Sequence, residues 1–179
     1  MDTMADTTLK ENGHRATFRG WLLGLTLLAV GLFALLAESL PQAHEAHAAG
    51  VVSTCNEASL LTAIAGGGTV TFSCSGTIVL TSPIVVTTGT TLVIDGVGQS
   101  VTIDGPDGAD DDAFNVTGSG VLELRRLSVV GSGDGGVEAD DTSKVTIDQV
   151  VITDSGDDGV DIEDDSVVTI TGSTISGNG

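Results

Sequence analysis

Between Val70 and Ile175 the chain is built of short runs in which apolar and polar residues alternate, as in "VTI" at Val145–Ile147 and again at Val168–Ile170. Alternation with period two marks a strand with one buried face. Each run is bounded by Gly, Asp or Ser, so the strands are short and the bends between them tight. The runs also recur. Written in rows 113–135, 136–158 and 159–179, the sequence aligns without gaps. Phe114, Val137 and Val160 share a column, as do Val116, Ala139 and Ile162; Leu122, Val145 and Val168; Leu124, Ile147 and Ile170; and Val129, Ile152 and Ile175. Neighbours in every column stand the same distance apart along the chain. Upstream the pattern continues with small changes of length: Val70 and Phe72 lead to Leu92 and Ile94 and then to Phe114 and Val116, while Ile78 and Leu80 lead to Val101 and Ile103 and then to Leu122 and Leu124. This gives five successive turns.

Three short strands per repeat, with bends too brief for crossover helices and no Asn-Gly hairpin signal between them, predict an all-β parallel solenoid of about 23 residues per turn. Equivalent residues of successive turns then stack about 4.8 Å apart, with β-branched side chains filling the interior. An up-and-down sandwich supplies the same alternation but no reason for a gap-free register.

Solenoid ends expose unpaired strands and need covers. Thr54 and Glu57 are spaced as a capping box. "EASLLTAIA" at 57–65 predicts a short helix, with Leu60, Leu61 and Ile64 available to cover the first turn. Residues 49–68 are thus expected to be an N-terminal cap and residues 69–179 the solenoid. At "SGNG" the sequence ends in mid-repeat without a second cap, so the solenoid is expected to be incomplete at its C-terminus, the front part of a longer protein.

The segment 1–48 changes the picture. Lys10, Arg15 and Arg19 precede an uncharged apolar run from Trp21 to Ala37, and "AHAAG" at 46–50 offers a small-residue exit. Basic flank, apolar run and small-x-small exit describe a secretory signal peptide cleaved after Ala48. The alternative is a retained N-terminal membrane anchor, the only route by which a membrane becomes a partner, because the run just reaches a spanning length. Both place residues 49–179 outside the cytoplasm, either secreted or at the cell surface. There Cys55 and Cys74 are expected to form one disulfide that staples the cap to the solenoid.

Composition then removes whole classes of function. Residues 49–179 carry 20 acidic residues against Arg125, Arg126 and Lys144, a net charge of −17. Such a field repels nucleic acid and attracts multivalent cations. His14, His44 and His47 all lie in segment 1–48, which excludes a His-dependent nucleophile or a His-ligated zinc from the rest. With no Tyr, and the single Trp at position 21, an aromatic sugar-stacking platform is also disfavoured.

"CNEASLLTAIAGGGTVTFSCSGTIVLTSPIVV" at 55–86, "LVIDGVGQSVTIDG" at 92–105 and "TISGNG" at 174–179 resemble bacterial secreted right-handed parallel β-helix proteins of the pectin-lyase-like fold, including surface proteins with repeats like those of polymorphic outer-membrane proteins. The resemblance implies a right-handed β-helix and export. It covers lyases, hydrolases, adhesins and surface proteins alike, so it leaves function open.

Candidate chemistry gathers in "GDDGVDIEDD" at 156–165. In the repeat register Asp134 stacks on Asp157, Glu138 on Asp161, Asp140 on Glu163 and Asp141 on Asp164, with Asp111 and Asp112 one turn earlier still. Stacked carboxylates repel unless a cation screens them, and calcium is satisfied by six to eight oxygens from flexible carboxylates. Asp157, Asp158 and Asp161 with Asp134 are similar to the calcium-binding pattern of some β-helix pectate lyases, which makes these four the expected metal ligands. The same stretch resembles the Gly-Asp-Asp motif of polygalacturonases. The expected function is an exported surface or extracellular protein whose acidic face binds calcium and contacts an acidic polysaccharide. The alternative is a calcium-dependent uronate lyase, for which only Lys144, Arg125 or Arg126 could act as the base. Asp-Gly pairs are also ordinary turn residues, so decoration without chemistry satisfies the same pattern.

Overall fold

A computed structural model describes residues 50–179; the expected signal peptide or anchor, residues 1–48, lies outside the described residues. The strands form three parallel sheets. One holds β1 (Val51–Val52), β2 (Gly68–Phe72), β5 (Thr91–Asp95), β8 (Val121–Arg125), β11 (Lys144–Asp148) and β14 (Val167–Thr171). The second holds β3 (Gly76–Val79), β6 (Val101–Asp104), β9 (Ser128–Val130), β12 (Val151–Thr153) and β15 (Thr174–Ser176). The third holds β4 (Ile84–Val86), β7 (Phe114–Val116), β10 (Val137–Ala139) and β13 (Val160–Ile162). The chain visits the sheets in the same order on each of about five turns, and every described strand pairing is parallel.

From Phe114 onward the columns read from the repeat are the observed register: Val137 pairs with Phe114 and Val160, Ile147 with Leu124 and Ile170, and Ile152 with Val129 and Ile175. Upstream the register differs from the expected one. Val70 pairs with Ile94, which pairs with Leu124, so the step along the chain first nearly matches the later period and then clearly exceeds it. Ile78 leads to Ile103 and Val129, and it is Ile84 that lies beside Phe114. Two longer bends account for most of the difference: nine residues, 105–113, separate β6 from β7, against six between β9 and β10, and five residues, 96–100, separate β5 from β6, against two between β8 and β9. The same alternation runs through every strand, so sliding the early turns by one strand leaves the apolar pattern intact.

The interior is aliphatic. Val70, Ile78, Ile94, Ile103, Leu122, Leu124, Ile147 and Ile152 are fully buried, and Phe114 is the largest side chain among them. Ile162 belongs to the interior column of Ala139 but is exposed, because among the described residues no strand pairs with β13 on its other side.

Helix α1 (Glu57–Ile64) stands before the first full turn. Its N-cap is Asn56 and not Thr54: the Asn56 Oδ1 accepts a hydrogen bond from the Ser59 N–H at 2.9 Å. Glu57, expected to close a capping box, reaches instead across to the solenoid, where its Oε1 accepts from the N–H and hydroxyl of Thr81 at 2.7 and 2.8 Å. Leu60 is buried and Ile64 packs on the core, while Leu61 is exposed. The Cys55–Cys74 disulfide forms, its Cα atoms 5.7 Å apart, joining the start of the helix to the end of β2.

Each regular turn bends at three left-handed corners that recur in register from one turn to the next. Gly118, Asp141 and Asp164 occupy one column (φ 63°, 60° and 49°), Gly131, Asp154 and Gly177 another (70°, 62° and 70°), and Arg126, Gln149 and Gly172 the third (53°, 56° and 57°). Gly and Asp suit this conformation; Arg and Gln adopt it at a cost.

Candidate functional site

The acidic residues gather on the outer side of the four-stranded sheet, β4, β7, β10 and β13. Alternation sends Phe114, Val116, Val137 and Ala139 inward and leaves Asn115, Glu138 and Asp161 as one outward column. At the leading end of these strands Asp111, Asp134 and Asp157 stack: Asp134 N–H donates to Asp111 O and Asp157 N–H to Asp134 O, each at 3.1 Å. At the trailing end Asp140 is followed by Glu163 one turn on, and Asp141 by Asp164.

Burial and like charge act together here. Asp112, only 8 % exposed, precedes β7 and accepts a hydrogen bond from Gly135 N–H through Oδ1 at 2.9 Å. Desolvation and, after it, the charge of Glu138 push its carboxyl up to about 7; the Gly135 N–H works the other way. Glu138 in turn accepts from the Asn115 side-chain amide. Glu163 is raised by Asp161 first and Asp140 next, although it is fully exposed.

The four expected ligands are divided. Asp134, Asp157 and Asp158 lie at the leading end, while Asp161 is on β13 with its Oδ1 accepting from Ile162 N–H at 2.7 Å. Among the described residues, the trio whose carboxylate oxygens all approach within 4.8 Å is Asp140, Asp141 and Asp164, at the trailing end. The left-handed corner explains this meeting: Asp141 and Asp164 occupy the same column, and Asp141 Oδ2 is held by the Gly118 N–H of the turn before at 2.8 Å. Asp112 was visible in the sequence as a column mate of Asp158, but nothing in its spacing announced its burial.

The glycines of "SGDDG" have a packing reason. A Cβ at Gly156 would run into the carbonyl of Gly133 one turn below, and a Cβ at Gly133 into that of Gly108. Stacking therefore demands the glycine of the Gly-Asp-Asp motif whether or not the aspartates react. Gly156→Ala is expected to lower stability by about 1–3 kcal/mol, read from urea midpoints, with Asp157 and Asp158 untouched. The three cations of residues 49–179 are elsewhere. Arg125 pairs with Glu123 on the six-stranded sheet, Arg126 pairs with Asp95 at the corner after β8, and Lys144 begins β11. None of the three lies on the four-stranded sheet.

Residues 112–179, the regular turns that bear this face, match the family model described as "Right handed beta helix region". The fold is a right-handed parallel β-helix. No curated protein and no solved structure matches the chain. In the β-helix the three cations sit on or beside the six-stranded sheet, and the carboxylate ladder on the four-stranded one.

Proposed function

We propose that this β-helix is an exported protein, secreted or held at the cell surface, whose acidic face binds calcium and through it contacts an acidic polysaccharide. The observation that carries the reading is the meeting of the Asp140, Asp141 and Asp164 carboxylates on a face where like charge already raises Glu163. A calcium ion relieves that repulsion and takes oxygen ligands in the flexible geometry that exposed aspartates offer. A bound ion with open positions can bridge to a uronate carboxylate, which the bare face would repel. The disulfide and the pattern of segment 1–48 support an oxidising, extracytoplasmic setting. The pectin-lyase-like kinship, the bacterial source and the likeness to outer-membrane-protein repeats are part of the same proposal.

Isothermal titration with calcium and thermal melts test it. At a free calcium concentration of 100 times Kd the fold should gain about 2.7 kcal/mol. Asp164→Asn should abolish most of that gain if the trailing trio is the site, and Asp158→Asn if the leading set is. A titration with neither heat nor a change in melting temperature overturns the metal, and with it the bridge to polysaccharide.

A further inference from the structure

We propose that Asp107 is a site of self-modification, where the main chain of the bend 105–113 closes on the Asp107 side chain and reopens as isoaspartate. Five Asp–Gly pairs stand in the sequence, at 95–96, 104–105, 107–108, 134–135 and 158–159. Glycine has no side chain to shield its nitrogen. Each pair is therefore open to attack of the Gly nitrogen on the aspartate carboxyl carbon, a five-membered ring closure that needs no second molecule. What separates the five is how the fold holds them.

Four of the joining peptides are tied down. Gly96 N–H donates to Arg125 O at 2.9 Å, and Gly105 N–H to Val130 O at 2.7 Å. Gly135 N–H donates to Asp112 Oδ1 at 2.9 Å. The Asp158 carbonyl accepts from Gly136 N–H at 3.0 Å, and Gly159 is buried. At 107–108 neither the Asp107 carbonyl nor the Gly108 N–H has a hydrogen-bond partner among the described residues, and both residues are exposed. Attack at the other four must first break a bond of the joining peptide, whereas this peptide is free to turn its nitrogen toward the carboxyl carbon. Asn178–Gly179, a more reactive type by sequence, is held as well: Asn178 Oδ1 accepts from Ser155 N–H at 3.1 Å, and Gly179 N–H donates to Ser155 O at 3.2 Å.

In the first step the Gly108 nitrogen bonds to Asp107 Cγ, the bond from Cγ to its hydroxyl oxygen breaks, and the hydroxyl leaves with the amide proton as water. In the second, solvent water adds at the Asp107 main-chain carbonyl and the bond from that carbonyl to nitrogen breaks. The chain then runs through Cβ and Cγ, with a carboxylate left on Cα, and its composition is restored. The bend has gained one main-chain carbon between two anchored residues. Pro106 O accepts from Gly133 N–H at 2.8 Å, and Gly108 O accepts from Asp111 N–H at 3.0 Å. Gly108 O also lies so close to Gly133 that a Cβ there would stand 2.0 Å from it. The corner at Gly133 therefore bears the change. This chemistry needs neither calcium nor a polysaccharide and is independent of the function proposed above.

The test ages the full chain in warm neutral buffer made with heavy-oxygen water, beside a sample unfolded in urea, until the unfolded sample is labelled. Mass spectrometry of proteolytic peptides reads the solvent oxygen taken up, and electron-transfer fragmentation reads the isoaspartate. In urea the five Asp–Gly pairs should label at similar rates. In the folded chain Asp107 should lead the other four by about fivefold or more, the worth of one hydrogen bond that need not be broken. Asp107→Glu, whose larger ring closes far more slowly, should lose the label at this position. The proposal is overturned if the folded chain stays unlabelled at Asp107, if label spreads evenly over the five pairs, or if another pair leads. In the labelled fraction Gly133 N–H should exchange with deuterium faster than in fresh protein; equal rates would overturn the effect assigned to that corner.

Discussion

Phe114→Ala should cost the fold about 3–5 kcal/mol, the largest loss expected of any single truncation. The side chain is fully buried and stands in the interior column between Ile84 and Val137. Neither neighbour can collapse into the space. Each is fixed at its height by parallel hydrogen bonds, so the cavity stays open and its walls lose dispersion contacts. In a solenoid each turn leans only on its neighbours, and the damage should therefore be local in space. Hydrogen exchange should accelerate first in β4, β7 and β10, ahead of β14 and β15. Phe114→Leu, which keeps most of the volume, should lose much less. Denaturant midpoints for the two variants, with exchange rates mapped by strand, check the expectation; equal losses would mean that the site is not rigid.

Asp112→Asn should stabilise the fold at pH 8 and flatten its pH dependence. The Asp112 carboxyl is pushed up to about 7 in the folded state against 3.8 ordinarily. A raised acid binds more protons folded than unfolded between those values. Its contribution to stability is thus fully present below about 4, falls as pH rises, and is lost once pH passes about 7. Ionising Asp112 places a charge in a dry position beside Glu138 and Asp134, and the fold bears the cost. A tenfold change in proton affinity is worth about 1.4 kcal/mol. Screening by water along the open side of the ladder reduces the total, leaving about 1–2 kcal/mol between pH 4 and pH 8. The asparagine keeps the oxygen that accepts from Gly135 and offers Glu138 a donor in place of a charge. Melting temperatures across that range should show a decline in the parent protein and a shallower one in the variant, with a gain of roughly 2–8 °C at pH 8. Parallel profiles would show that Asp112 is already charged or already solvated at neutral pH.

The sequence carried the period, the interior columns after Phe114, the helix and the Cys55–Cys74 bridge, because each rests on spacing. It was silent where two arrangements satisfy the same pattern. Val70 and Phe72 fit the columns of either neighbouring sheet, and only the longer bends at 96–100 and 105–113 decide between them. Thr54 and Asn56 are both competent caps two residues apart, and the hydrogen bond to Ser59 goes to the second. For the acidic face the ladder of Asp134 on Asp157 and Glu138 on Asp161 was legible from the register. The convergence of Asp140, Asp141 and Asp164 was not, since it depends on a left-handed corner turning two stacked side chains toward a third. Nor was the burial of Asp112, whose carboxylate packs against Gly135 of the following turn.

The carboxylate ladder has a physical character beyond any one site. Rows of charges repeated along a rigid axis about 4.8 Å apart form a short polyelectrolyte, a peptide counterpart of a nucleic-acid backbone. Mobile counterions gather along such a rod whether or not a pocket exists for them. Monovalent salt should therefore compete with calcium over the whole face. Its hold on cations should also grow with the number of turns it spans, so that the length of the rod sets how many ions it gathers.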